Sequence, residues 1–212
     1  MCSGLRALLL LLGLVGLAPG PARADEAAEA FKQGRRLLAR QKPREAAALF
    51  RKVLQLSPGY QQASAYLGDA LFQLGRESEA LAAYRRALGM DAPGECYPAL
   101  LGCGRVLLAR NPARKKDEDL RQAVSFFNQA IAFEPKAPAP YFYRGIAYHR
   151  LRQLGKAVAD FDRAIELDPA HAAAYEHRGD VWRDRGDKRK AEADYARARE
   201  LRRRQRPRGT SP

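Results

Sequence analysis

Small, aromatic and apolar residues recur along the chain at a constant step of thirty-four positions. Gly34 is followed by Gly68 at this step, and Gly145 is followed by Gly179. Within a unit, an Ala stands twelve positions after the Gly, an aromatic residue follows four positions later, and a further small residue usually follows three positions after that. A period between about 20 and 50 residues is typical of proteins built from stacked supersecondary units. The pattern therefore predicts an array of similar units.

Each unit is predicted to be a pair of packed helices. The Ala, the aromatic residue and the last small residue stand at i, i+4 and i+7, which places them on one face of a helix. The Gly earlier in the unit lets a first helix approach the second closely. Pro58, Pro135 and Pro169 close three of the units, because proline lacks an amide donor and restricts the residue before it. The chain is therefore expected to be all-α.

These spacings resemble the tetratricopeptide repeat. The residues that carry the resemblance in two of the units are Leu67, Gly68, Leu71, Ala80, Tyr84 and Ala87, and Tyr141, Gly145, Tyr148, Ala157, Phe161, Ala164 and Pro169. The resemblance implies a right-handed superhelical solenoid of about five helix-turn-helix hairpins. It places repeats at 27–60, 61–94, 95–137, 138–171 and 172–205.

The third unit departs from the pattern because Gly102 precedes Ala123 by twenty-one positions instead of twelve. We interpret the difference as a nine-residue insertion at 111–119, in the turn between the two helices of that unit. Asn111 and Pro112 favour the end of a helix, and charged residues follow them. We favour a surface loop that is tolerated without consequence, and a loop that contacts a partner is the alternative.

Residues 1–24 have the pattern of an export signal. Arg6 precedes an apolar run over residues 7–17. Ala22, Arg23 and Ala24 then form the small-x-small site that a signal peptidase accepts, and we predict cleavage after Ala24. An uncleaved membrane anchor is the alternative, but the run is shorter than the roughly 20 residues that span a bilayer. The mature chain is expected in a bacterial periplasm or in the secretory route of a eukaryote, with no transmembrane segment.

The sequence offers little catalytic chemistry. His149, His171 and His177 are its three histidines, and none stands at the spacing of a metal site or beside a nucleophile. The Gly-x-Gly at 102–104 lies where a repeat helix is expected, so we interpret it as a packing feature. Neighbouring carboxylates on the helices are accompanied by arginines, as in solvated ion pairs. We predict no enzyme activity, no cofactor and no metal.

In the family that the chain resembles, ligands usually lie in the concave groove lined by the first helix of each repeat. The family's groove positions fall here on a mostly apolar stripe that comprises Phe31, Arg35, Leu38, Asp69, Phe72, Phe142, Ile146 and His149. We predict that this stripe binds a helix or an extended peptide of a partner protein. The alternative is that some of these side chains, such as Leu38 and Phe72, are ordinary core. Family members that clamp a terminal carboxylate use a basic residue and an Asn that are missing here, which disfavours a cochaperone role.

The positive charge leads to a second hypothesis. The formal net charge of +14 becomes +12 once Arg6 and Arg23 leave with the signal. A cluster of arginines occupies the C-terminal end and comprises Arg197, Arg199, Arg202, Arg203, Arg204, Arg206 and Arg208. This cluster is expected to bind an anionic lipid or polymer surface, or else to serve as a solvated cap on the last repeat. Export disfavours nucleic acid as the partner, and residues 206–212 are expected to form a disordered basic tail.

Overall fold

The computed structural model describes residues 21–89, 97–109 and 117–205. Over these ranges the chain contains ten helices and no strand. The helices are α1 (Pro21–Ala39), α2 (Pro43–Leu56), α3 (Gln61–Gln73), α4 (Glu77–Leu88), α5 (Tyr97–Ala109), α6 (Asp117–Phe133), α7 (Pro138–Arg150), α8 (Leu154–Leu167), α9 (Ala172–Asp184) and α10 (Lys188–Gln205).

The helices stack as five successive hairpins. Each odd-numbered helix packs against the even-numbered helix that follows it, and α2, α4, α6 and α8 also contact the next hairpin. The odd-numbered helices contact one another in order along the stack, whereas the even-numbered helices stay apart within the described ranges. The odd-numbered helices therefore line the inner face of the stack and the even-numbered helices form its outer face. The all-α solenoid predicted from the repeats is confirmed.

An aromatic ring from the second helix of each hairpin lies over a glycine of the first. A Cβ atom added to Gly68 would lie 2.6 Å from the Tyr84 ring, and one added to Gly145 would lie 2.8 Å from the Phe161 ring. Both rings are completely buried. The glycine and the aromatic residue recur together because the interhelical contact leaves no room for a side chain at the glycine.

The third hairpin has a different register from the predicted one. The glycine under its own aromatic ring is Gly104, where an added Cβ would lie 2.4 Å from Phe127, while a Cβ on Gly102 would meet Tyr84 of the preceding hairpin. The assignment of Gly102 to the repeat position was therefore wrong. Gly104 precedes Phe127 by twenty-three positions, whereas the glycine precedes the ring by sixteen positions in the other four hairpins. This hairpin thus contains seven extra residues between its glycine and its ring.

The structure divides the predicted nine-residue insertion into two parts. Two extra residues precede α5, which begins thirty-six positions after the start of α3 instead of thirty-four. The other seven lie between α5 and Ala123. Three of these seven lengthen the start of α6. Ala123 is the seventh residue of α6, whereas the equivalent Ala157 is the fourth residue of α8. Residues 117–119 thus form an acidic first turn, which the helix dipole favours, and 111–116 lie outside the described residues.

The last hairpin presents polar residues where earlier hairpins are apolar. Val158 of α8 is buried and Ile165 is half-buried against the next repeat. One repeat step later the corresponding residues are Glu192 and Arg199, and both are exposed on α10. Because no described repeat follows α10, these polar residues suit a solvent-facing end.

Candidate functional site

Three residues of the predicted groove stripe are buried in the hairpin cores. The relative exposures of Phe31, Leu38 and Phe142 are 6%, 9% and 9%. The ring of Phe31 is centred 4.9 Å from that of Tyr60, and the ring of Phe142 is centred 6.1 Å from that of Phe161. These three side chains therefore offer a partner little surface and contribute mainly to packing.

Two other stripe residues, Phe72 and Ile146, line an open pocket on the inner face. This pocket, called here the inner pocket, has a volume of about 230 Å³. Its lining residues come from α3, α5 and α7 and are Phe72, Arg105, Leu108, Ala109, Tyr143, Ile146 and Arg150. The inner pocket thus combines apolar walls with two arginines at the middle of the array.

Arg105 is held between two aromatic rings in the inner pocket. Its Cζ atom lies 5.1 Å from the centre of the Phe72 ring and 5.6 Å from that of Tyr143. Its Nη1 atom lies 4.0 Å from Oδ1 of Asp69. Stacking occupies the faces of a guanidinium and leaves the N–H donors at its edge. The pocket therefore presents a positioned cation with donors that a ligand can reach.

Asp69, which was predicted to face the groove, is mainly a structural residue. Its Oδ1 accepts a 2.6 Å hydrogen bond from the Tyr84 hydroxyl. Burial raises the pKa of Asp69, while the hydrogen bond from Tyr84 and the charge of Arg105 act in the opposite direction. Burial and the neighbouring Asp69 also raise the pKa of Tyr84. Asp69 therefore links the inner helix to the outer helix of its hairpin.

Arg150 forms the opposite wall of the inner pocket. Its Nη1 donates a 2.6 Å hydrogen bond to the carbonyl oxygen of Leu108, in the last turn of α5. Burial lowers the pKa of the Arg150 guanidinium. Carbonyls in the last turn of a helix have no partner within that helix, and a cation there is favoured by the helix dipole. Arg150 thus anchors α7 to α5 and adds a second positive charge to the pocket.

Arg35 belongs to a second recess on the same face, nearer the N-terminus. Its Cζ atom lies 5.4 Å from the centre of the Tyr66 ring and 5.9 Å from that of Phe31. The recess has a volume of about 270 Å³, and Tyr97 and Glu134 form its far side. The arrangement of an arginine beside a tyrosine ring therefore occurs twice along the inner face.

His149, the last stripe residue, connects two neighbouring hairpins. Its Nε2 lies 3.1 Å from Oδ2 of Asp184, which also accepts a 2.6 Å hydrogen bond from Arg152. The bond to His149 is the main cause that lowers the pKa of Asp184, and the bond to Arg152 adds to it. His149 is therefore engaged between α7 and α9.

The C-terminal arginines form ion pairs in three of the five described cases. Arg197 and Arg204 each contact Glu200, at 2.7 Å and 2.6 Å, and Arg202 pairs with Glu176 of α9. Arg197 and Arg204 lower the pKa of Glu200. Two further arginines of the cluster, Arg199 and Arg203, are exposed, while Arg206 and Arg208 lie outside the described residues.

Arg105 and Leu108 were missed by the sequence analysis because of the register error in the third repeat. Counting from Gly102 puts the groove positions of the third repeat on Cys103 and Val106, and both are completely buried. Burial raises the pKa of the Cys103 thiol to about 12, as expected for an inert core residue. The second glycine, Gly104, was the available signal, since counting from it moves the groove positions by two residues onto Arg105 and Leu108.

The ranges 21–89, 97–109 and 117–205 contain neither a metal-binding cluster nor a membrane-spanning helix. No three or more His, Cys, Asp or Glu side chains there are grouped so that they could hold a metal ion. None of the helices in those ranges has both the length and the apolar character needed to cross a membrane.

Sequence profiles of the tetratricopeptide repeat match residues 31–95 and 138–171. These ranges cover the first two hairpins from Phe31 onward and the fourth hairpin, and they leave out the third and fifth hairpins. A comparison with curated protein sequences finds no significant match.

Several solved structures have the same fold. MamA (41-end) of Desulfovibrio magneticus RS-1 is 24% identical with a TM-score of 0.71, and the match covers 90% of this chain and 100% of that one. TTC0263, a thermophilic TPR protein of Thermus thermophilus, is 22% identical with a TM-score of 0.68, over 84% and 96% of the two chains. YrrB, described as a TPR protein with an unusual peptide-binding site, is 19% identical with a TM-score of 0.62, over 86% and 89%. At these identities the likeness concerns the fold alone.

Proposed function

Because this chain belongs to the tetratricopeptide-repeat family, we propose that it is a non-enzymatic interaction scaffold whose inner face binds a segment of a partner protein. The observation that carries the proposal is the inner pocket, in which Arg105 lies between the rings of Phe72 and Tyr143. Open apolar surface beside oriented hydrogen-bond donors is typical of peptide-binding grooves.

The chemistry of the inner pocket favours a particular kind of segment. Phe72, Leu108 and Ile146 supply apolar walls, and the two charged lining residues, Arg105 and Arg150, are both cationic. An apolar side chain of the partner would fill the pocket, and an adjacent carboxylate would reach the edge of Arg105. The partner segment is therefore proposed to carry an apolar residue next to an acidic one.

We also propose that residues 1–24 direct export of the chain and are removed by cleavage after Ala24. Helix α1 begins at Pro21, so cleavage there would remove its first four residues. Residues 22–26 are exposed and Ala27 is buried, so cleavage after Ala24 leaves the buried residues from Ala27 onward in place. The proposed location is extracytoplasmic. N-terminal sequencing of the protein recovered from its native source tests whether the mature chain begins at Asp25.

The groove proposal is tested by affinity capture from an extracytoplasmic extract with washes at low and high salt. Ile146→Glu places a negative charge in the pocket wall and is expected to abolish capture of a partner that survives high salt. Ala132→Glu, at an exposed position of α6, is the matched control and should capture as the unsubstituted protein does. Equal capture by both variants would contradict the proposal.

The same experiment distinguishes the alternative of an electrostatic binder of anionic surfaces. That alternative relies on the C-terminal arginines, and three of them already have carboxylate partners. Binding that vanishes at high salt and after Arg199→Glu with Arg203→Glu would favour it over the groove.

A further inference from the structure

An open crevice lies on the outer face, between α2 and α4, with α3 as its floor. Its volume is about 280 Å³. Leu54, Leu67 and Ala83 are among the apolar residues that line it, and Arg51 and Arg86 are the basic ones. The crevice is separate from the inner pocket, because its lining residues come from the first two hairpins and include both outer helices.

The equivalent space between the third and fourth hairpins is filled by an arginine and its partners. At the positions equivalent to Leu67, Ala83 and Arg51, this junction has Arg144, Asp160 and Asn128, respectively, each displaced by the same number of positions along the chain. Arg144 donates hydrogen bonds of 2.8 Å and 2.6 Å to the two oxygens of Asp160 and one of 2.6 Å to Asn128. The guanidinium of Arg144 and the carboxylate of Asp160 thus fill the space that is open at the first junction.

A tyrosine ring completes the filling there. By the same displacement, Tyr141 is the equivalent of Ser64, and Arg163 is the equivalent of Arg86. The centre of the Tyr141 ring lies 5.6 Å from Cζ of Arg144 and 6.0 Å from Cζ of Arg163. The ring therefore lies close to two guanidinium groups.

The next junction repeats this arrangement. Arg178 donates hydrogen bonds of 2.8 Å and 2.6 Å to Asp194 and one of 2.6 Å to Asp162. Its Cζ atom lies 5.4 Å from the centre of the Tyr175 ring. The junction between the second and third hairpins contains Phe126 at the position of the aspartates, within an apolar cluster. All three later junctions thus carry larger side chains at positions where the first carries Ser64, Leu67 or Ala83.

The first junction has basic residues at the rim of the crevice, but it has no aromatic ring at the position of Tyr141. Arg86 is the equivalent of Arg163, and its Nη2 donates only a long bond of 3.4 Å to the Pro58 carbonyl. Glu79, the carboxylate at the rim, is held at 2.6 Å by Arg76, which lies outside the crevice, and is 3.9 Å from Arg51. The hydroxyl of Ser64 is completely buried and has no hydrogen-bond partner among the described residues, which is uncommon in native proteins.

We propose that this outer crevice binds an aromatic side chain from an acidic segment of a partner protein. The ring takes the place that Tyr141 and Tyr175 occupy in their own repeats, against the apolar floor and beside Arg86. Carboxylates next to the ring in the partner pair with the excess of positive charge at the rim, where Arg51 and Arg86 outnumber Glu79 among the lining residues. The array then has two separate docking surfaces, one on each face.

The test is a titration of the isotopically labelled full chain, followed by amide chemical shifts, with a synthetic peptide of one tyrosine between three glutamates on each side. The expected result is saturable shift changes confined to α2, α3 and α4, and loss of these changes when alanine replaces the peptide's tyrosine. Ser64→Tyr inserts the ring that the fourth and fifth repeats contain, and it is expected to weaken binding at least tenfold. Ser125→Tyr, at an exposed site on α6, should bind as the unsubstituted protein does.

A second variant fills the crevice in a different way, so that the test does not depend on correct folding of Ser64→Tyr. The double substitution Leu67→Arg with Ala83→Asp recreates the pair that Arg144 and Asp160 form. It is expected to fill the crevice, to preserve the helical circular dichroism spectrum and to cause the same tenfold loss. Undiminished peptide binding by a folded crevice-filling variant, equal binding of the alanine peptide, or shift changes located at Arg105 instead would each overturn the proposal.

Discussion

The hydroxyl of Tyr84 donates a 2.6 Å hydrogen bond to Asp69, and the same relationship recurs three repeats later, where Tyr195 donates a 2.9 Å bond to Asp180. The other three hairpins have phenylalanine at the aromatic position, and the residues at the position of the aspartate are Arg35, Arg105 and Ile146. The hydroxyl thus occurs only where the first helix supplies an acceptor. At the contact between the aromatic residue and the first helix, each hairpin therefore has both a hydroxyl and its acceptor or has neither of them.

Replacement of Tyr84 by phenylalanine is expected to lower the free energy of unfolding by about 1–3 kcal/mol, because it leaves the carboxylate of Asp69 without its donor. The double variant Tyr84→Phe with Asp69→Ile copies the pair found in the fourth hairpin and should be less destabilised than the single variant. Urea unfolding followed by circular dichroism measures both. A double variant that is less stable than the single one would contradict this account.

The paired arginines give a second prediction. Arg144→Leu leaves Asp160, which is 6% exposed, without its charge partner, and removal of one member of a buried pair costs about 3–5 kcal/mol. Arg144→Leu with Asp160→Ala reproduces the residues of the second repeat at these two positions and should recover a large part of that loss. Chemical denaturation of the two variants tests the coupling. Equal stability of the single and double variants would show that the pair is not coupled.

Two glycines of the fourth hairpin are expected to respond oppositely to the same substitution. Gly145→Ala places a methyl group 2.8 Å from the Phe161 ring and should destabilise the protein by about 1–3 kcal/mol. Gly155→Ala, on α8, meets no atom within 4 Å and should stabilise it by up to about 1 kcal/mol, since alanine favours a helix over glycine. Thermal unfolding of the two variants provides the measurement, and a stabilised Gly145→Ala protein would refute the packing argument.

The stability of the C-terminal hairpins is expected to fall as the pH is lowered through the unfolded pKa of histidine, about 6.5. Burial against Phe142 and Phe161 lowers the pKa of His177 in the folded chain, although Asp180 at 3.8 Å opposes this effect. The unfolded state therefore binds the proton more readily, so acid favours unfolding and neutral pH restores the stability.

His177→Gln is the variant that tests this prediction. The difference in unfolding free energy between pH 7.5 and pH 5.5 should be smaller in this variant than in the unsubstituted protein. His149 and His171 remain in both proteins, so their contributions cancel to first order. An unchanged difference would mean that His177 does not link folding to pH.

Much of the fold could be predicted because the glycine and the aromatic residue that packs on it leave a regular spacing in the sequence. The third repeat could not be aligned in this way, since Gly102 and Gly104 are both packed under rings and only the contact with Phe127 distinguishes them. The groove stripe was harder to assign, because the exposure of an apolar residue on an inner helix depends on its neighbours. Tyr60 and Tyr66 cover Phe31, for example, whereas Phe72 remains partly open beside Arg105.

The hydrogen bonds that Arg144 and Arg178 make between repeats are also expected to determine the order in which the repeats unfold. Arg144 and Arg178 each connect the outer helices of two consecutive repeats, whereas the first two junctions are joined mainly by apolar contacts, with the longer ion pairs Arg51–Glu79 and Arg105–Asp69 beside them. Burial raises the pKa of Asp160, so protonation of this carboxylate removes the charge pair with Arg144, whereas the mainly apolar junctions depend less on carboxylates. In strong acid the array should therefore shorten stepwise from its C-terminus and keep a helical N-terminal remnant, so that the protein loses cooperativity before it loses all of its structure.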